Sequence, residues 1–297
     1  MTESNAKVYR DYSQTELDAQ YEQRTLVPDL TPYLKVWNGG SLKIRKTFPC
    51  ALDVPYGPLE EQRLDIFPAS GVTKETGDMA PVHVFLHGGA WRWMTKELFS
   101  FPAKHLVSAG ACYVTVEFPA TLVVPLDEMV RQVREAFGWI YRNISLHGGD
   151  PERIFISGHS SGAHLAAMVL AEGWREEAGL PGDLIKGAVL VSGPYDLEPV
   201  RLSARNEYLH LDEAAARRNT PNHHLPRRHP PLFIGWGDGE LDEFKRQGRD
   251  FAVVCKERDL PVISEELKGC NHFDAGNAFA DQDSPVLRHI LAQMGLA

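Results

Sequence analysis

The chain has 297 residues, 43% of them hydrophobic, and a formal net charge of −9 at pH 7. That length and apolar content can bury a sizeable α/β core, and the acidic balance excludes general nucleic-acid binding, which needs a basic face to displace counterions. A polar N-terminus without an apolar segment ahead of a cleavage site, and no run long enough to span a bilayer, predict a cytoplasmic protein with no membrane partner.

Residues 14–24 read as a helix, and the Pro-containing stretch ending near Trp37-Asn38-Gly39-Gly40 reads as a lead-in to the first strand. Alternating runs over 41–46 and 63–67, separated by turn-rich residues 53–58, predict an antiparallel pair. From residue 82 the pattern changes. Apolar strands over 82–86, 112–116, 153–157, 187–191, 231–235 and 262–267 alternate with helices. One helix covers 126–143, where Met129, Val133, Phe137 and Ile140 recur at helical spacing. Nearly uniform apolar strands are buried on both faces, so a mostly parallel sheet flanked by helices is expected, as a single domain. Residues 194–230 break the rhythm with Arg201, Arg205, Arg217, Arg218, Arg227, Arg228, His210, His223, His224 and His229, and are read as a lid-like excursion over the C-terminal edge of the sheet.

Between the strand at 153–157 and the helix that follows stands Gly158-His159-Ser160-Ser161-Gly162. A G-x-S-x-G pentapeptide in strand-turn-helix context is the nucleophile-elbow pattern, which makes Ser160 the candidate nucleophile. A serine hydroxyl needs a base, and its tetrahedral intermediate needs donors for the oxyanion. Donors are expected from His87-Gly88-Gly89-Ala90-Trp91 after the strand at 82–86, with Gly88 or Gly89 acting beside the N–H of Ser161. The base is expected after the last strand, where His272 stands. His83 and His164 fall inside a strand and a helix and read as structural. His223, His224 and His229 lack a carboxylate at metal-ligand spacing, so no metal is expected. The orienting acid should follow the penultimate strand. Four carboxylates crowd there, and spacing leaves both Asp238 and Glu240 open. Cys50, Cys112, Cys255 and Cys270 are widely separated and read as reduced thiols.

With these segments in order, the chain resembles the α/β-hydrolase fold, within it the HGG-bearing esterases, and most closely the arylformamidase (kynurenine formamidase) family. The resemblance covers nearly the whole chain, through Val54-Pro55-Tyr56-Gly57, Leu64-Asp65-Ile66, the HGG and elbow segments, Ser192-Gly193-Pro194-Tyr195-Asp196 and Glu243-Phe244-Lys245-Arg246-Gln247. It places the triad acid three residues ahead of Glu243, on Glu240, although the family residue is often aspartate. A second departure lies at 116–121, a loop that borders the acyl pocket in such folds. Trp91, Trp93 and Phe118 are candidates for an aromatic wall there, with ordinary core packing as the alternative, and His159 joins them as a candidate pocket residue.

The implied activity is serine hydrolysis of an N-formyl aromatic amide through an acyl-enzyme, with no cofactor. The alternatives are a broad-range carboxylesterase and a non-catalytic ligand-binding module on the same scaffold. The expected partner is a small-molecule amide or ester substrate, and a homodimer is left open. If the excursion covers the pocket, one or more of Arg201, Arg205, Arg217 and Arg218 would pair with a substrate carboxylate; a solvated helix face explains them equally.

Overall fold

A computed structural model describes residues 6–71, 79–226 and 230–297, so the expectations for Arg227, Arg228 and His229 lie outside the described residues. A small hairpin, β1 (Lys7–Tyr9) with β2 (Tyr12–Ser13), leads into α1 (Gln14–Gln20), where Ser13 and Glu16 form a capping box. The helix expected over 14–24 thus ends at Gln20, and a 3-10 turn follows over Gln23–Leu26.

The strand expected over 41–46 is instead the end of a helix, α2 (Thr31–Thr47). Its buried residues Trp37, Ser41 and Ile44 are four and three positions apart, which is helical spacing, whereas Leu42 is exposed. Gly40 looked like a break and is a contact: a Cβ there would lie 3.1 Å from Phe101 Cβ, so the small residue lets α2 pack closely. The antiparallel pair forms from β3 (Ala51–Pro55), which lies in the turn-rich stretch, and β4 (Arg63–Phe67).

The alternating part then runs β5 (Ala80–Leu86), α3 (Ala103–Ser108), β6 (Cys112–Val116), α4 (Leu126–Asn143), β7 (Gly149–His159), α5 (Ser161–Leu170), α6 (Trp174–Glu177) and β8 (Ile185–Val191). After β8 come α7 (Glu198–Leu202), α8 (Asn206–Leu209) and α9 (Glu213–Arg218), which occupy the expected excursion. The chain closes with β9 (Leu232–Gly237), α10 (Asp242–Glu257), β10 (Val262–Leu267), α11 (His272–Asn277) and α12 (Pro285–Met294). The eight-stranded sheet has the order β10-β9-β8-β7-β5-β6-β4-β3. β4 runs antiparallel to both its neighbours, and the pairings from β6 through β10 are parallel. This is the α/β-hydrolase fold.

Alternation along the strands feeds two cores. Val82, Val84 and Leu86 face α4, α5 and α10, while Phe85 faces the layer of α2, α3 and α12. Every residue of α5 is buried, so this helix runs through the core with its N-terminus at Ser160. Its far end is closed by cations: Arg175 Nη1 donates to the carbonyls of Val169, Leu170 and Ala171, and Arg134 donates to that of Met168. Guanidinium groups at a helix C-terminus satisfy orphan carbonyls and complement the dipole.

The N-terminal segment straps the excursion. Tyr9 O–H donates to Asp196, Gln14 Nε2 to Leu202 O, and Ala204 N–H to Asp18. Among the described residues no helix is long and apolar enough to cross a membrane.

Candidate active site

β7 ends at His159 and α5 begins at Ser161, leaving Ser160 as the turn, with φ 57° and ψ −126°. A left-handed conformation at a non-glycine residue costs free energy and persists only where surrounding contacts impose it. Those contacts are close. A Cβ on Gly158 would lie 2.3 Å from Gly162 O, and one on Gly162 would lie 2.1 Å from Leu86 O, so any larger residue at either position would push α5 off the sheet. Ser160 N–H donates to Val191 O at 2.9 Å, which ties the turn to β8.

His272 is the first residue of α11, where Asn271 accepts from Phe273 and Asp274 N–H groups and fixes the start of the helix. Its Nε2 lies 2.9 Å from Ser160 Oγ and its Nδ1 3.0 Å from Glu240 Oε2. A carboxylate only accepts, so Nδ1 carries the proton in this arrangement and Nε2 is left to accept from the serine hydroxyl. The Glu240 side chain is buried, and its Oε1 accepts from Ser192 O–H and from Gly237 N–H at 2.8 Å. Of the two acids that spacing left open, Glu240 is the one touching His272. Asp238 sits in a partly exposed turn, its N–H donating to Leu267 O. Phe244 meets the His272 ring edge-on at 4.9 Å, and His159 packs on it at 4.8 Å.

The opposite wall follows β5. In the sheet register Leu86 pairs with Gly158, so the loops leaving β5 and β7 start side by side. The first of them is sharply bent: Gly89 has φ 120°, and Ala90 and Trp91 have φ 54° and 59°. A Cβ at Gly88 would lie 3.1 Å from Ser160 Cβ, so this loop passes directly over the nucleophile. Among the described residues, the N–H groups of Gly88, Gly89 and Ser161 donate to no protein acceptor. The loop is braced from behind by His87, whose Nδ1 lies 2.8 Å from Gly88 O and whose Nε2 lies 3.3 Å from Glu117 Oε1.

The expected aromatic wall is divided among different partners. Trp91 is buried and donates its N–H to His164 Nδ1 at 3.1 Å; Phe118 stacks on His87 at 4.3 Å; Trp93 is 59% exposed. His159 Nε2–H donates to His272 O at 2.9 Å, linking the elbow to the loop that carries the base. Burial pushes the His159 imidazole well below its ordinary range, aided by the neighbouring His272. Burial likewise lowers His164 to about 4 and His83 to about 3. His164 sits between Trp91 and Asn219 O, and His83 against Ser157 Oγ, which are the structural roles expected of them.

The arginines of the excursion sort by partner. Arg201 pairs with Glu198 and Arg218 with Asp127, while Arg217 is exposed and Arg205 lies over the rings of Tyr21 and Phe244. His223 and His224 lie near Arg217 O, and His210 is exposed. Sequence reasoning missed Ser192 and Phe244. The available signal for Ser192 was its place at the end of β8, matching that of Ser160 at the end of β7. For Phe244 it was membership of the Glu-Phe-x-Arg-Gln stretch.

Comparison with known proteins agrees with this fold. The family model BD-FAE matches residues 64–190. A kynurenine formamidase of Salmo salar is 30% identical, covering 97% of this chain and 98% of the relative, and one of Danio rerio is 28% identical with the same coverage. Esterase B from Lactobacillus rhamnosis superimposes with a TM-score of 0.69 at 14% identity, over 93% of this chain and 96% of that one. The fold and its neighbours define an α/β-hydrolase, a hydrolase of formamide or ester bonds. The chain belongs to the kynurenine formamidase family.

Proposed function

We propose that the protein is a serine hydrolase that cleaves the formyl group from an N-formyl aromatic amide. The observation that carries this reading is the continuous hydrogen-bond chain from Ser160 Oγ through both His272 nitrogens to the buried Glu240 carboxylate. Ser160 attacks the formyl carbon while His272 Nε2 takes its proton, and the N–H groups of Gly88, Gly89 and Ser161 receive the oxyanion. Collapse of the intermediate breaks the C–N bond as His272 returns the proton to the leaving arylamine. The formyl-enzyme is then attacked by a water that His272 deprotonates, releasing formate and restoring Ser160. Glu240 holds the imidazole in its productive tautomer and compensates the imidazolium. No step calls for a cofactor.

A broad-range carboxylesterase is the second reading, favoured by the fold shared with solved esterases. Formamide and ester cleavage pass through the same tetrahedral chemistry and differ in the pocket and in the need to protonate a nitrogen. A panel of N-formyl aromatic amides against p-nitrophenyl acetate and longer esters separates the two. Turnover of the amide at a kcat/KM comparable to or above that of the esters supports the formamidase reading, and ester turnover without amide turnover removes it.

A further inference from the structure

A second histidine–carboxylate pair stands behind the oxyanion loop, and both nitrogens of its ring face acceptors. His87 Nδ1 lies 2.8 Å from Gly88 O and Nε2 lies 3.3 Å from Glu117 Oε1, with the residue 2% exposed. A carbonyl cannot donate. The Glu117 carboxylate already accepts at both oxygens, Oε1 from Phe118 N–H at 3.1 Å and Oε2 from Lys96 N–H at 2.9 Å, and such backbone donors favour its ionised form. A neutral His87 would leave one bare nitrogen facing an oxygen lone pair in a buried site, whereas an imidazolium donates at both ends. The ring faces agree with a cation: Phe118 and Phe99 lie nearly parallel to the imidazole, at 4.3 and 5.6 Å, and aromatic faces attract positive charge.

The other ionisable groups around the pair are engaged elsewhere. The Lys96 ammonium is held by Asp53, Asp65 and Glu97 at 2.6, 2.9 and 2.8 Å. Tyr56 O–H donates to the main-chain oxygen of Glu117 and Tyr113 O–H to that of Phe99. His159, whose Nδ1 would lie 3.3 Å from a Cβ on Gly88, is held neutral by burial.

What His87 holds is one end of a peptide unit whose other end is an oxyanion donor. Gly88 O and Gly89 N–H belong to the same trans peptide and point in opposite directions. A charge-assisted bond to the carbonyl fixes the plane of that unit and draws electron density from its nitrogen, which strengthens Gly89 N–H as a donor. We infer that His87 is a positively charged positioning residue: paired with Glu117, its imidazolium orients and polarises the Gly88–Gly89 peptide toward the oxyanion. This rests on the reading of Ser160 as nucleophile and Gly89 as donor. The reacting carbonyl is then served by two dyads, Glu240 acting through His272 on the serine and Glu117 acting through His87 on the oxyanion.

The charge is read directly from the parent protein, labelled with 15N in its histidine rings and assigned by through-bond correlation. At pH 7 both ring nitrogens of His87 should carry protons. In Glu117→Gln the side-chain amide can donate to Nε2 while its oxygen keeps the Lys96 bond, at the cost of the Phe118 one, so His87 should show one bare nitrogen there. On p-nitrophenyl acetate and on an N-formyl aromatic amide, that variant should lose about ten-fold in kcat, the difference between a charged and a neutral donor, with KM nearly unchanged. His87→Asn should lose at least as much, and adding Glu117→Gln to it should cost less than about two-fold more, because Glu117 acts only through His87. With Ser160→Ala inactive, a bare nitrogen on His87 in the parent, unchanged kcat in both single variants, or fully additive losses overturns the proposal and leaves the serine mechanism standing. Hydrolysis that persists in Ser160→Ala removes the mechanism and the oxyanion role together.

Discussion

The Ser192 hydroxyl donates to Glu240 Oε1, and because Gly237 N–H occupies the same oxygen at 2.8 Å, Oε2 is the oxygen left to face His272 Nδ1 at 3.0 Å. The carboxylate is held in one rotation by groups that take no part in the reaction. Ser192 itself has φ 58°, so β7 and β8 both end in a left-handed serine, one facing the reaction and one behind its acid.

Removing that brace should affect turnover more than binding. Ser192→Ala leaves Glu240 Oε1 with one donor, and kcat should fall about ten-fold, the size of one hydrogen bond to a charged group, with KM nearly unchanged. Ser192→Gly deletes the same hydroxyl but relieves the left-handed backbone. Its kcat should fall as far while its melting temperature is no lower than that of the alanine variant. Steady-state kinetics with thermal melts of both proteins reads the two effects, and full activity in either would assign Ser192 to packing alone.

The contact between Glu240 and His272 predicts an asymmetric result for the two acids of the 238–240 turn. Glu240→Gln keeps the shape and removes the charge that orients His272 and offsets its imidazolium; in the serine-protease case the corresponding change costs on the order of 10⁴-fold in kcat. Asp238→Asn alters a partly exposed turn residue and should cost less than about three-fold, within the range of a surface substitution. The reverse ranking, read from kcat of the two variants, would move the orienting role to Asp238.

The buried histidines predict how stability depends on pH. His83 and His164 are held neutral, with pKa values of about 3 and about 4 in the folded protein, and His159 is also pushed well below its ordinary range. In the unfolded chain all three bind protons from about pH 6.5 downward. The unfolded state therefore gains protons first, and stability is fully present above about pH 6.5 and lost as pH falls toward the folded values. The slope is about 1.4 kcal/mol per pH unit for each proton excluded. Urea unfolding between pH 7.5 and 5 should show this decline, and His164→Gln should make it shallower. A pH-independent midpoint over that interval would contradict the burial of these rings.

The parts of this protein that were legible in the sequence are those where local pattern and tertiary environment agree. The strands over 82–86 and 112–116 and the helix over 126–143 are apolar in the period of their final conformation, and β7 and β8 differ from their expected ranges only at the ends. Ser160 and the HGG loop directly follow the buried strands β7 and β5, and His272 comes shortly after the edge strand β10, each where chain order puts it. The misreading at 41–46 came from an alternating run that serves equally as one face of a helix once Trp37 and Ile44 are buried against the phenylalanines of 99–101. The choice between Asp238 and Glu240 could not be made from spacing. It depends on which side chain turns inward past Gly237, and that is decided by donors from β8 and α11, segments remote in sequence.

The most direct test of the account is where a fluorophosphonate bonds. The probe should form one covalent adduct per chain, mapped by peptide mass spectrometry to Ser160, with loss of hydrolysis in proportion to labelling, and neither adduct nor turnover should remain in Ser160→Ala. An adduct on another residue, or hydrolysis that persists in Ser160→Ala, would contradict the nucleophile and with it the mechanism.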